Sequence, residues 1–411
     1  MQVLFFSHYF PPEVNAPASR TYANCKRWVK AGHRVTVITG APNCPDGVVY
    51  KGYRNRLFQR ELQDGIEVIR VWTYLAANKG TFFRIINYLS YMFSAILASL
   101  SRKKPDIMIA TSPQFFCGWA GIIAGRLRNV PLLLEIRDIW PESIIAVGAI
   151  KNKTIIRFLE WWEMKMYRAS RHIITVGEGY RKRLLEKGIP AQKISVVMNG
   201  VDKSVFFPRP PDLELKKRLG ISEKFVCSYV GTIGLASGLE VVLQAAILLR
   251  EINREDIVFL LVGSGAMREK LEAESTRLGI SNVIFTGRLE KSEMPAILSI
   301  SDAVLVHLKK TDLFATVMPS KLFEASGMGR PIICGVPGYA SRLVEESGGG
   351  ICIEPDNPGQ LVDTIEVLAN NLDWGKKMGK SGHKFITARF DRDYLAKKYL
   401  SIIAVGDNIE K

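Results

Sequence analysis

The sequence has little that would staple a chain together or direct it out of the cell. Its six cysteines, Cys25, Cys44, Cys117, Cys227, Cys334 and Cys352, include no Cys-x-x-Cys pair and stand beside no histidine cluster. That spacing speaks against a disulfide framework or a zinc site and for reduced thiols in a cytosolic chain. The opening Met1-Gln2-Val3-Leu4-Phe5-Phe6 lacks the basic segment and long apolar core of a secretion signal. No short repeat or low-complexity tract is visible. Hydrophobic residues make up 47% and charged residues 23% of 411, which excludes a disordered, collagen-like or simple coiled-coil protein.

What is present is unevenly charged. Residues 1–205 hold 30 Lys and Arg against 14 Asp and Glu, and residues 206–411 hold 26 of each. The whole excess of +16 therefore lies in the first half, where an anionic partner is expected. Nucleic acid, anionic lipid and a phosphorylated substrate are the candidates. The basic residues match no recognised nucleic-acid motif, so nucleic acid is not expected.

Short apolar runs alternate with amphipathic stretches at 3–6, 35–39, 107–110, 132–136, 173–176 and 194–197. The habit starts afresh at 225–230, 257–262, 283–285, 303–307 and 331–334. Continuous Val/Ile/Leu runs between helices predict buried parallel strands, and their alternation predicts an α/β, doubly wound fold in two domains. Asn199-Gly200-Val201-Asp202, followed by Pro208, Pro210 and Pro211, is the expected joint.

Three basic-aromatic features fall in the first domain. The stretch 85–101 carries no charge and is 17 residues long, short for a span of ~20. Its Asn87, Ser90, Ser94 and Ser101 recur at roughly helical spacing, which favours a crossover helix or a helix lying in a membrane surface over a true span. The stretch 151–171 mixes Trp161, Trp162 and Tyr167 with six Lys and Arg, as suits a lipid headgroup boundary. A core helix with a solvated basic face explains it as well. A loop at 50–60 adds Lys51, Arg54, Arg56 and Arg60 with Tyr53, Leu57 and Phe58.

The strongest chemical signal is Met318-Pro319-Ser320-Lys321-Leu322-Phe323-Glu324, ending at Gly327-Met328-Gly329. Proline suits the first position of a helix. A helix start offers free N–H groups to an anion, Ser320 adds a hydroxyl and Lys321 a cation. Glu324, one turn on, could accept from ribose hydroxyls. Donors followed by a diol acceptor describe a nucleoside diphosphate site. The competing reading is a structural helix with a Lys321–Glu324 pair.

These segments, with Phe10-Pro11-Pro12-Glu13, the run 31–39, Arg137-Asp138-Ile139-Trp140-Pro141-Glu142, Asn199-Gly200-Val201-Asp202, the run 230–240 and Val262-Gly263-Ser264-Gly265, resemble a family-4 retaining glycosyltransferase of the GT-B fold. Within it the chain is similar to the WbuB-like enzymes of bacterial surface-polysaccharide (O-antigen or capsule) assembly. The resemblance implies two Rossmann-like domains facing across a cleft: 1–203 for the acceptor and the membrane, and 204–388 for the nucleotide sugar. Residues 389–411 would form a helix returning to the first domain. It implies a UDP-sugar donor, possessing no cofactor and no metal site. It also implies a polyprenyl-diphosphate-linked sugar as acceptor at the cytoplasmic face of the inner membrane, and N-acetyl-L-fucosamine or a related N-acetylated sugar as cargo.

By resemblance, the nucleotide sugar is expected to meet Thr232, Ile233, Gly234, Gly263, Gly265, Arg288, Leu289, Met318, Pro319, Ser320, Lys321 and Glu324. Catalytic parts are expected of Asp138, Lys321, Glu324 and Glu13, and acceptor or membrane contacts of Glu13, Asn15, Arg137, Trp161 and Trp162. Several positions depart from the family. Thr316 stands where a Glu is common, and Thr232 and Ser237 where an Arg and a Lys are common. Lys321 and the helix start should then carry more of the diphosphate charge. Arg137-Asp138 replaces a frequent His. His8 and His33 read as structural, and Asp391-Arg392-Asp393 as helix caps. Two rivals stay open: a nucleotide-sugar epimerase or hydrolase on the same fold, and a non-catalytic basic membrane-binding module.

Overall fold

The computed structural model describes residues 1–44, 46–76, 82–112, 114–146, 148 and 150–407. Contacts divide the chain into two units, Met1–Met198 with Asp393–Lys411, and Asn199–Arg392.

The first unit runs β1 (Gln2–Phe6), α1 (Ala16–Lys30), β2 (Arg34–Gly40), β3 (Phe58–Gln63), β4 (Ile66–Val71), α2 (Phe82–Leu100), β5 (Ile107–Thr111) and α3 (Phe115–Arg128). It continues with β6 (Leu132–Ile136), α4 (Glu142–Ala146), α5 (Lys153–Ala169), β7 (His172–Thr175), α6 (Glu178–Glu186) and β8 (Ile194–Val196). Its sheet has the order β3-β4-β2-β1-β5-β6-β7-β8. Every pairing is parallel except β3 with β4. The six apolar runs all fall on strands, β1, β2, β5, β6, β7 and the half-buried edge strand β8. The β3–β4 hairpin, by contrast, is not marked by an apolar run. β3 alternates exposed and half-buried residues because it is a sheet edge, and it absorbs the end of the expected 50–60 loop. Asp64 and Gly65 close the hairpin with positive φ at both positions, as a two-residue turn requires.

The second unit contains α7 (Leu213–Arg218), β9 (Phe225–Val230), α8 (Glu240–Glu251), β10 (Ile257–Val262), α9 (Arg268–Arg277), β11 (Val283–Gly287) and α10 (Met294–Ser299). Then follow β12 (Ala303–His307), α11 (Ser320–Gly327), β13 (Ile332–Gly335), α12 (Tyr339–Ser347), β14 (Gly350–Cys352), α13 (Pro358–Asn370) and α14 (Leu372–Arg389). All strands are parallel, in the order β11-β10-β9-β12-β13-β14. The order reverses at β9 and β12. The carboxyl ends of strands at such a reversal are where open α/β sheets bind ligands. Phe259, Leu261 and Leu243 belong to the apolar core beneath that edge.

Residues 199–206 are tied into the second unit. Val201 N–H donates to Phe390 O at 2.9 Å, and Arg392 N–H donates to Val201 O at 3.0 Å. From Asp393 on, the last helix α15 (Arg392–Asp407) packs on the first unit. Trp28 Nε1 donates to Ala396 O at 3.2 Å, and its ring meets Tyr399 edge-on at 5.0 Å.

Candidate functional site

In the second unit the loops that leave β9, β10 and β11 are stitched together through their backbones. Gly231 N–H donates to Val262 O, Ile233 N–H to Ser264 O, Met267 N–H to Ile233 O and Gly263 N–H to Gly287 O, all at 2.9–3.0 Å. Such close approach needs glycine. Gly263 has φ +141°, and a Cβ there would sit 1.9 Å from Gly231 O. Gly265, at φ +157°, would place one 2.4 Å from Ile233 O. Ile233 is buried, so its side chain anchors the loop and only its backbone lies with the cluster. Thr232 is exposed, and its carbonyl accepts from the Tyr229 hydroxyl at 2.8 Å. Arg288 is exposed and Leu289 half-buried just past β11.

α11 starts beside this cluster. Pro319 is the residue before its first turn rather than the first helical residue, with φ −64° and ψ 130°, and no side chain caps the start. The first amides of a helix have no intrahelical acceptor. The Ser320 hydroxyl makes no hydrogen bond among the described residues. Met318 is buried and holds the turn in place. Lys321 does not pair with Glu324. Its Nζ lies 3.4 Å from the centroid of the Tyr229 ring and 3.1 Å from where a Cβ on Gly231 would be. Part of its side chain stays open to solvent, yet desolvation by the surrounding protein pushes the ammonium pKa down to about 7. The ring face attracts the charged form but replaces none of its lost water.

Glu324 lies 3.9 Å from Arg392 Nη2. Lys291 joins them: burial lowers its pKa, Arg392 lowers it further, and Glu324 and Asp202 oppose the fall. Thr316 donates its hydroxyl to Leu313 O at 2.7 Å. Ser237 donates to Gly234 O at 2.6 Å, so it stiffens the loop after β9. His307 Nδ1 lies 2.8 Å from Ser237 O, and Asp356 N–H donates to Nε2 at 3.0 Å. A carbonyl at one nitrogen and an N–H at the other fix a neutral ring with its proton on Nδ1.

In the first unit Glu13 is buried, and Asn15, Arg137, Asp138 and Trp162 are half-buried. Glu13 accepts from Phe10 N–H at 3.3 Å, Asn43 N–H at 3.1 Å and Cys44 N–H at 3.0 Å. Desolvation raises its pKa to about 7 against those bonds and the pull of Arg70. The geometry thus gives Glu13 the part of a clamp between the loops after β1 and β2. Asn15 caps α1, accepting from Ala18 N–H at 2.9 Å. Asp138 is raised to about 6 by burial, opposed by hydrogen bonds from Ser143 and the Ile139 amide. Arg137 lies one residue earlier at the carboxyl end of β6. His8 sits among Tyr9, Tyr88 and Tyr91, and burial drops it to about 3. Trp162 packs against Phe115, Phe116 and Trp119, whereas Trp161 is exposed. Asp391 pairs with Lys203 at 2.8 Å and Asp393 with Arg27. Among the described residues no three His, Cys, Asp or Glu gather as a metal cluster would.

Two family profiles match the chain, a glycosyl transferase 4-like domain over residues 15–200 and glycosyl transferases group 1 over residues 212–385. The chain belongs to the glycosyltransferases built from these two domains. It is 26% identical over 377 residues to WcaI of Escherichia coli K12, a protein named for glycosyl transfer in colanic acid biosynthesis, with 89% of this chain and 91% of WcaI covered. It is 25% identical over 240 residues to a GDP-mannose-dependent phosphatidylinositol monomannoside mannosyltransferase of Mycobacterium tuberculosis, covering 57% of this chain and 62% of that protein. Among solved structures it is similar to Anabaena HepE in complex with UDP and glucose, with TM-score 0.74, 18% identity, and 98% of this chain and 99% of HepE covered. That likeness establishes the GT-B fold.

For this glycosyltransferase the structure assembles, in one unit, the glycine loops, the open start of α11, Lys321 and Glu324. Sequence reasoning missed Tyr229, which reads as core strand, and Lys291 and Arg392, which have no spacing relation to Glu324. The sheet order brings Tyr229 and Lys291 near, and the chain after α14 brings Arg392.

Proposed function

We propose that the chain is a retaining, metal-independent glycosyltransferase that moves a sugar from a UDP-sugar to a polyprenyl-diphosphate-linked saccharide in bacterial surface-polysaccharide assembly. The observation that carries the reading is the uncapped start of α11 beside Lys321, with Glu324 one turn on. Free amides, a hydroxyl and a cation suit a diphosphate, and a carboxylate suits the ribose diol. When the bond from the sugar C1 to the phosphate oxygen breaks, these groups stabilise the charge gathering on the departing diphosphate. The acceptor hydroxyl then bonds to C1 from the same face and passes its proton to the leaving phosphate oxygen. Little side-chain acid–base chemistry is needed. UDP in the HepE structure supports a uridine donor, and the GDP-mannose-dependent relative supplies the competing base.

The membrane part of the reading rests on the first unit. α2 is long and apolar enough to cross a bilayer by length and composition alone. Its inner face is spoken for: Tyr91 donates to Ile38 O at 2.8 Å, and Asn87 donates to Tyr74 O at 2.5 Å. Its outer face exposes Phe82, Phe93, Leu97 and Leu100. α3 packs between α2 and α5, and α5 exposes Ile155, Phe158 and Trp161. An apolar stripe with basic neighbours suits a helix lying in an anionic surface rather than spanning it. The enzyme then works on the cytoplasmic face of the inner membrane.

Thermal shift with UDP, GDP, ADP and their sugars tests the donor site. A UDP-selective shift, lost in Glu324→Ala and weakened in Lys321→Ala, is expected. No shift with any nucleotide, or shifts untouched by both variants, overturns the site. Flotation with liposomes tests the surface: binding to phosphatidylglycerol vesicles at low salt, weakened by Phe93→Asp with Leu97→Asp, is expected.

A further inference from the structure

The first unit holds a half-buried arginine whose guanidinium has unsatisfied donors. Arg137 follows β6 at the carboxyl edge of the sheet, the edge at which doubly wound folds receive ligands. Its backbone is fixed by donation of its N–H to Ser112 Oγ at 2.7 Å. Its Nε and Nη1 are shut off from solvent and find no acceptor among the described residues. The carboxylate that attracts it, Glu135, is already committed. Glu135 accepts from Arg20 Nε at 3.0 Å and from Thr111 Oγ1 at 3.0 Å. Arg20 also donates to Val197 O at 2.7 Å and Met198 O at 2.8 Å. Asp138 turns to Ser143 and the Ile139 amide instead. Two guanidiniums thus share one buried carboxylate, and one positive charge is left over.

An arginine cannot escape that position by losing its proton. Burial brings Arg137 down only to about 10, so it is charged at neutral pH. A buried charge with unmet donors is costly to the fold. The cost falls away when an anion brings oxygens in the plane of the fork, which is the geometry of phosphate recognition. We infer that Arg137 is an anion receptor of the first unit that takes the diphosphate of the acceptor, separate in residues from the donor site at Lys321. This rests on the reading of the acceptor as a prenyl diphosphate conjugate.

The test uses the full chain and geranyl diphosphate as probe. In Lys321→Met, where the donor cation is gone, geranyl diphosphate should still raise the melting temperature by a few degrees. Adding Arg137→Met should abolish that shift, and Arg137→Lys should keep part of it. Arg137→Met alone should melt no lower than the parent without ligand, because no hydrogen bond is lost, and it should keep the UDP shift. The inference is overturned if Lys321→Met already abolishes the geranyl diphosphate shift, or if the shift survives in the double variant. It is also overturned if both Arg137→Met and Arg137→Gln melt lower without ligand, the mark of a structural arginine. Loss of the UDP shift in Arg137→Met would assign the guanidinium to the donor and overturn the acceptor assignment. A parent enzyme that ignores every nucleotide yet passes the geranyl diphosphate arms would sink the donor reading and leave this site standing.

Discussion

The two units dress the same edge of their sheets in different materials. In the second, the carboxyl ends of β9 and β10 carry glycines whose backbones interlock, and one lysine leans over a tyrosine ring. In the first, the ends of β1 and β6 lead into buried charge: Glu13 clamped by three amides, and Arg137 beside the Arg20–Glu135 pair. Backbone amides bind an anion without any side chain to desolvate. A buried carboxylate or guanidinium has a desolvation cost that hydrogen bonds must offset. The lysine can shed its proton when no anion is present, because its pKa lies at about 7, and the arginine cannot. One edge is therefore at ease without ligand and the other is not.

The largest expected effect breaks the backbone side of that contrast. Gly263→Ala puts a methyl 1.9 Å from Gly231 O, and neither backbone can yield without unpicking the loop. UDP binding should vanish, and stability should fall by roughly 3 kcal/mol or more, read by urea unfolding. Next comes the cation. Lys321→Met removes a charged partner worth roughly 1.5–3 kcal/mol, so UDP affinity should drop about 10- to 100-fold by calorimetry. Unchanged affinity would deny the lysine its part.

On the first unit, Glu13→Ala leaves three amides without their acceptor and should cost about 2 kcal/mol at pH 6 by chemical denaturation. Glu13→Gln sharpens the comparison further. The Glu13 pKa is raised in the fold to about 7 from 4.5, so the penalty on its charged form is absent below pH 4.5 and complete above pH 7. The glutamine variant should therefore gain stability relative to the parent as pH rises from 5 to 8. A pH-independent difference would place the titration elsewhere.

The fold was legible wherever apolar runs were continuous, because a parallel strand covered on both faces must be apolar throughout. β3 escaped notice because an edge strand alternates. β14 escaped because Gly350-Ile351-Cys352 is too short to stand out. Lys321 and Glu324 were legible because helix start, cation and carboxylate lie within one turn of sequence. Tyr229 and Lys291 were not, because the strand order brings them to α11 across long sequence separations. Glu13 was legible as a residue of interest. Its amide partners at Asn43 and Cys44 come from the loop after β2, which no local pattern connects to it.

The central claim is that an anionic diphosphate settles on Lys321, and proton uptake on binding reads it directly. At pH 8 a lysine of pKa about 7 is mostly neutral, and a bound diphosphate would return its charge. Calorimetry of UDP binding in buffers of different ionisation enthalpy should then show uptake approaching one proton at pH 8, and close to none in Lys321→Arg. Binding of UDP with no proton uptake by the parent enzyme, or with the same uptake in both proteins, would contradict the account.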